Sequence, residues 1–162
     1  MSELTHFDEN GKAFMVDVSD KKENVRIAAA KGIIIVNQEV YEKILAGTVA
    51  KGDVLGAARI AGIIAAKRTS DLIPLCHMLP LTKCAIDFEP QQMDDKFFIE
   101  AVCTVKTVAK TGVEMEALTG VNIALLTIYD MCKAIDKRMM IANVHLAYKT
   151  GGKSGDFVWQ EQ

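Results

Sequence analysis

The chain has 162 residues, half of them hydrophobic and a quarter charged, with a formal net charge of -2. A chain of that length is most economically one domain, burying roughly 70% of its extended surface on folding, and its near-neutrality gives no broad attraction to nucleic acid or to an anionic membrane. Any anionic ligand must be met by a local basic cluster.

The opening Met-Ser-Glu-Leu-Thr-His lacks the basic-then-apolar order of a secretory leader, and no apolar run reaches the roughly 20 residues of a membrane helix, so the cytoplasm is the expected compartment. Residues 1–20 are polar and read as a flexible N-terminal arm that orders only where something holds it, with Met15-Val-Asp-Val-Ser19 as a piece able to dock. Residues 21–150 read as a single α+β domain. From 25 to 36 apolar residues alternate and then run on, interrupted by Arg26 and Lys31, which suits a largely covered strand with Arg26 near its start. Asn37 can cap a brief helix whose Val40, Tyr41, Ile44 and Leu45 share a face, and Gly47 suits the left-handed position after it. Asp53 is the expected N-cap of a second helix to about Arg68, in which Ala57, Ala58, Ala61, Gly62, Ala65 and Ala66 make a narrow seam for close packing.

Residues 69–80 carry two of the three prolines and read as an irregular connection. Strands over 82–88 and 96–108, joined by a polar turn over 90–95, form an expected hairpin. A long helix follows, ending at Lys133, apolar or small on every side from 117 to 128 and so covered on both flanks. Thr111 and Glu114 have the capping-box spacing at its start. A last strand over 139–148 precedes a glycine-rich basic tail at 151–162. The order strand, two helices, two strands, helix, strand predicts an α+β fold, ferredoxin-like, with helices on a mainly antiparallel sheet and one extra helix.

Four cysteines, at 76, 84, 103 and 132, contain no Cys-x-x-Cys pair, and the histidines at 6, 77 and 145 are equally scattered. That spacing argues against a disulfide framework or a metal motif. Gly152-Lys-Ser154 is not a phosphate loop: Ala147 stands where that motif needs glycine, and no helix follows. A basic tail closing over an anion remains open. Cys76-His77 reads equally as structure or as part of a site, and its proline-bounded loop favours the site. Lys67-Arg68 at a helix end can simply complement the helix dipole.

Asp130 and Lys133 share a helix face and can form an ordinary ion pair worth ~0.3 kcal/mol. Charged groups bracketing an apolar helix are alternatively desolvated enough for proton transfer. Glu116 and Asp130 lie within ~40° of one face yet ~21 Å apart along the axis, so one helix cannot place both in one small site. Two copies of the helix packed antiparallel, crossing near Ile123, would bring Glu116 of one subunit to Asp130 of the other and create two equivalent sites.

Met15-Val-Asp-Val-Ser, Lys51-Gly-Asp, Ala58-Arg-Ile-Ala-Gly-Ile, Ala65-Ala-Lys-Arg-Thr, Asp71-Leu-Ile-Pro-Leu-Cys-His77, Lys110-Thr-Gly-Val-Glu-Met-Glu-Ala-Leu-Thr, Leu126-Thr-Ile-Tyr-Asp-Met-Cys-Lys-Ala134 and Gly151-Gly-Lys-Ser-Gly-Asp156 closely resemble the MoaC family of molybdenum cofactor biosynthesis, almost end to end. The resemblance implies a cytoplasmic homohexamer, a trimer of dimers, that converts 3′,8-cyclo-7,8-dihydroguanosine triphosphate to cyclic pyranopterin phosphate and diphosphate. It implies Asp130 as acid/base, Lys133 and Lys51 as catalytic lysines and Glu114 beside them. Leu75, Cys76, His77, Met115 and Glu116 are then expected to contact substrate, and Arg26, Lys67, Lys149 and Lys153 to meet the triphosphate. No cofactor is required, although Mg2+ can accompany the triphosphate. The chain departs from the family pattern at Met78, at Thr107-Val-Ala-Lys110 and at His145. Two competing readings are a non-catalytic ferredoxin-like module that binds a nucleotide or pterin, and a hydrolase centred on Cys76.

Overall fold

In the computed structural model, which describes residues 10 to 160, the strict alternation of Asn24–Val36 (β1) puts residues 26, 28, 30, 32, 34 and 36 on the buried side. Residues 1–9 of the expected arm, His6 among them, and the last two of the tail lie outside that range. The helix Gln38–Ala46 (α1) starts where Asn37 accepts from the Val40 amide and stops at Gly47, φ 66°. Asp53 caps Val54–Lys67 (α2) by accepting from the Gly56 amide. The stretch expected to be irregular contains one helical turn, Thr69–Leu72 (α3).

Leu81–Met93 (β2) and Lys96–Ala109 (β3) form the hairpin. Its turn is tighter than the polar run suggests: pairing continues through Pro90 opposite Ile99 to Met93 opposite Lys96, and Asp94 takes up the reversal at φ 51°. Pro90 is tolerated because β2 is the sheet edge, where a missing amide breaks no ladder. Glu114–Cys132 (α4) precedes Met140–Thr150 (β4) and the short Phe157–Val158 (β5). The sheet order is β2-β3-β1-β4-β5, antiparallel throughout. Its first four strands have the ferredoxin-like arrangement, with α1, α2 and the short α3 in the first crossover and the tail folded back as an added edge. No helix among the described residues is long and apolar enough to cross a membrane.

One correction concerns the start of α4. The capping box does not form: Val113 occupies the N-cap position without a side-chain cap, and Glu114 is the first helical residue. A Cβ on Gly112 would collide with the Glu114 carboxylate, so the bare glycine leaves room for that carboxylate to lie back over residue 112, where it pairs with Lys149 instead of capping.

Helix α4 packs on β1, β3 and β4, and α2 packs on α4 and β2. Val121, Ala124, Leu125 and Ile128 are fully buried together with Ile34, Ile86, Ile99 and Val105. Where the helices meet, a Cβ on Gly62 would stand 2.7 Å from the Gly120 carbonyl oxygen and would overlap Ile86, while one on Gly120 would stand 2.6 Å from Cys103 Sγ. The small seam foreseen in α2 is therefore a backbone-to-backbone contact. Alanine in place of a helical glycine ordinarily gains ~1 kcal/mol, but overpacking against a fixed carbonyl costs ~1–3 kcal/mol. Gly62→Ala should thus lower the thermal midpoint, whereas Ala61→Gly should lower it only by the propensity difference; a Gly62→Ala midpoint at or above wild type would show that the seam can open without cost.

A candidate active site in two halves

Two adjoining cavities lie at the N-terminal end of α4. The first, about 280 Å³, is lined by Lys21, Arg26, Lys110, Glu114, Lys149 and Lys153, with Thr111 and Gly112 in its floor. The second, also about 280 Å³, is lined by Val16, Val18, Leu75, Cys76, His77, Met115 and Glu116 and shares Lys21, Thr111, Gly112 and Glu114 with the first. One is a cation-rich basin suited to a polyanion; the other mixes apolar walls with a thiol, an imidazole and a carboxylate, as a heterocycle site needs.

Arg26 reaches the first cavity because the alternation of β1 turns it to the buried side at the sheet end, where only 7% of it is exposed. Its Nε donates to the Ala109 carbonyl and one Nη to the Lys110 carbonyl, each at 3.4 Å, while the other Nη donates to the Gly151 carbonyl. Arg26 thereby ties three chain segments together as well as supplying charge. Lys149 Nζ pairs with Glu114 Oε1 at 3.1 Å and donates to Ser154 Oγ at 3.2 Å, which holds the turn after β4 beside the basin. The tail is placed by that turn, by Thr150 donating to Asp156 and by the pairing of Lys149 with Phe157.

Glu116 is 4% exposed. Burial, reinforced by the neighbouring charge of Glu114, pushes its pKa up to about 7, against a bond to its own backbone amide that works the other way. A carboxyl poised there can both give and take a proton near neutrality. Burial and the charge of Glu116 also raise the Cys76 thiol. A thiol held protonated is a poor nucleophile, which removes the main support for a hydrolase centred on Cys76.

The second half lies at the other end of α4. Asp130 accepts from Lys133 Nζ at 2.6 Å and from Lys51 Nζ at 3.1 Å, and Lys51 also donates to the Asp130 carbonyl at 2.9 Å. Lys51 is delivered by the turn before α2, where Gly52 adopts φ 95°. The lysine hydrogen bonds hold the Asp130 carboxyl below its ordinary range, and Asp130 in turn raises Lys133. All three are solvent-exposed in the single chain. Glu114 and Asp130 are sixteen residues apart, about 24 Å along a helix, so one chain does not unite the halves.

Of the residues singled out from sequence, Arg26, Leu75, Cys76, His77, Glu114, Met115, Glu116, Lys149 and Lys153 converge on the paired cavities. Lys51, Asp130 and Lys133 converge on each other. Lys67 joins neither group: the end of α2 places it beside Met78, Leu79, Pro80 and Leu81. His145 lies in a different cavity, with Lys31, Glu100 and Trp159, and its ring meets that of Trp159 in a tilted contact, centroids 4.6 Å apart. Lys21, Lys110, Val16 and Val18 line the site without having been singled out as ligands. Their signal was the Met15–Ser19 stretch and the lysine opening Lys110-Thr-Gly, neither of which carries a recognisable spacing.

A ferredoxin-like α+β chain that joins a cationic basin to a proton-poised carboxyl has the equipment of a small-molecule enzyme. The chain belongs to the MoaC family, whose model matches residues 15–152. It is 57% identical over 159 residues to a cyclic pyranopterin monophosphate synthase of Clostridium botulinum, covering 97% of this chain and 98% of that one. Identity is 58% over 156 residues to the protein of that name from Clostridium perfringens, covering 96% and 98% of the two chains. It is 53% over 161 residues to that of Heliobacterium modesticaldum, covering 99% and 100%.

Glu116 gives a pH test. Its pKa rises from 4.5 to about 7 on folding, so the folded state holds the extra proton between those values and loses stability as pH rises through them, by on the order of 3 kcal/mol at most. Thermal midpoints from pH 4 to 8 should therefore fall more for wild type than for Glu116→Gln. Parallel profiles would place the proton elsewhere.

Proposed function

We propose that the chain acts as a cyclic pyranopterin monophosphate synthase, converting 3′,8-cyclo-7,8-dihydroguanosine triphosphate to cyclic pyranopterin monophosphate and diphosphate in molybdenum cofactor biosynthesis. The observation that carries this reading is near full-length identity of 53–58% to proteins of that name. The two cavities fit it: the triphosphate would lie in the basin of Arg26, Lys149 and Lys153, and the ring system between Leu75, Cys76, His77, Met115 and Glu116.

The reaction opens a ring, moves protons between ring nitrogens and oxygens, and brings a sugar hydroxyl to the α-phosphorus so that diphosphate leaves. An ionised Asp130 flanked by protonated Lys51 and Lys133 can take and return protons, while the basin's cations offset charge on the departing diphosphate. Glu114, paired to Lys149, would hold that cation in place. The conversion is redox-neutral and calls for no redox cofactor; Mg2+ would enter with the triphosphate.

The active site is completed by a second copy. An uncovered stripe on α4 carries Met115, Asn122, Leu126, Asp130 and Lys133, and beside it Ile60 and Ile64 of α2 stand 62% and 43% exposed. The expectation of a helix covered on both flanks is not met by this chain alone at that stripe. Antiparallel pairing of two such faces would bury it and carry Asp130, Lys51 and Lys133 of one subunit to the cavities of the other. Three such dimers would make the hexamer, working in the cytoplasm.

Supplying the cyclised dihydro-GTP intermediate to the purified protein should release diphosphate and pterin in equal amounts, and no product would defeat the assignment. Asp130→Asn and Lys51→Ala should each lower kcat about 100-fold or more, with Cys76→Ser far milder. Mixing inactive Asp130→Asn and Lys149→Ala chains should restore about a quarter of wild-type activity, because half the random dimers then hold one intact site of two. A mixture no better than its components would confine the whole site to one subunit.

A further inference from the structure

Residues 14 to 18 belong to no helix or strand, yet the chain from Val16 to Lys21 runs along both cavities. Val16 and Val18 line the one with Cys76 and Glu116. Lys21 lines both and also a third recess beside Arg26 and Lys153. Internal bonds shape this segment without anchoring it: Asp17 Oδ1 accepts from the Ser19 amide at 2.8 Å and the Ser19 hydroxyl at 2.6 Å, and the Lys21 amide donates to the Val18 carbonyl at 3.0 Å.

Two bonds cross to the body of the protein. Lys110 Nζ donates to the Ser19 carbonyl at 2.7 Å. His77 Nε2 lies 2.9 Å from the Val16 carbonyl, and because a carbonyl can only accept, that nitrogen carries the proton. Both anchors come from site-lining loops, Lys110 in the first cavity and His77 in the second, with Thr111 and Gly112 lining both. Lys110 also presents its carbonyl to Arg26, so one residue links the buried cation of the basin to the segment that carries Lys21.

We propose that residues 16 to 21 are a strap forming one wall of the active site, and that Lys110 is the positioning residue that clasps it, with His77 as the second clasp. The strap closes the heterocycle cavity with two valines and delivers the Lys21 ammonium to the polyanion. Lys110 acts through the strap; its ammonium is committed to a backbone carbonyl rather than to substrate. This role explains why a polar, loosely structured stretch ends in Met-Val-Asp-Val-Ser, with apolar side chains alternating beside a turn-forming aspartate.

The strap rests on reading the cavities as the substrate site, and trypsin separates the two claims because Lys21 and Lys22 are cleavable on the protein alone. Lys110→Met should speed cleavage after these lysines about tenfold, while Lys110→Arg, which keeps charge and donor, should restore the wild-type rate. Inorganic triphosphate added as a probe should slow cleavage of wild type, since Lys21 would then be occupied. With substrate, Lys110→Met should raise KM about tenfold and leave kcat within about twofold, as loosening a wall that serves binding alone predicts. Unchanged cleavage in Lys110→Met overturns the clasp. Faster cleavage without protection by triphosphate overturns the strap as a wall of the site, and a fall in kcat with cleavage unchanged makes Lys110 a direct catalytic group instead. Absence of turnover in wild type would count against the synthase reading, and the cleavage arms would still decide the strap.

Discussion

The close contact of α2 with α4 at Gly62 and Gly120 is the constraint on which the rest depends. The helices run in opposite directions, so fixing their crossing fixes what lies at each end. The turn before α2 brings Lys51 to Asp130 at the last turn of α4. The connection after α2 and α3 brings Cys76 and His77 to Glu116 at the first turn. A side chain at either glycine would push these loops away from both ends at once, since the obstacles are a backbone carbonyl, Ile86 and Cys103 rather than flexible surface groups.

The two ends are electrostatically opposite in design. At one, a carboxyl is removed from water with a like charge nearby, so its proton is held to about pH 7. At the other, a carboxyl in water is gripped by two ammonium groups and stays ionised. A pair of acids kept in different states is what proton shuttling requires, because one must be able to give while the other takes. One chain keeps the two ends about 24 Å apart along α4, and the stripe between them, with Asn122 and Leu126, is exposed. The cationic basin is the third component, built largely on backbone carbonyls that hold Arg26 and on one carboxylate that holds Lys149.

Legibility varied with the range of the interaction. Asn37, Gly47 and Asp53 were readable because a cap is settled within three or four residues. The β1 alternation and the small seam of α2 were readable because periodicity reports which face is buried. Thr111 and Glu114 had the capping spacing and did not cap; Val113 took the N-cap position, and Glu114 pairs with Lys149, thirty-five positions away. Pro90 looked like the end of a strand and lies within one, because its strand is at the edge. Lys67 sat among motif residues and points elsewhere, since its direction is set by the last turn of α2.

By itself the sequence determined the order of the main elements, though not α3 or β5, the fold class they imply, the burial of alternate residues in β1 and the impossibility of uniting Glu116 and Asp130 on one helix. These follow from local periodicity and rise per residue, which the chain cannot evade. Only the tertiary structure decided that Arg26 is a buried tie, that Glu116 rather than Cys76 is tuned to neutrality, and that Val16, Val18 and Lys21 line the two cavities. Each of these depends on desolvation or on a bond between segments sixty to one hundred and twenty-five positions apart, and no local pattern encodes such distances.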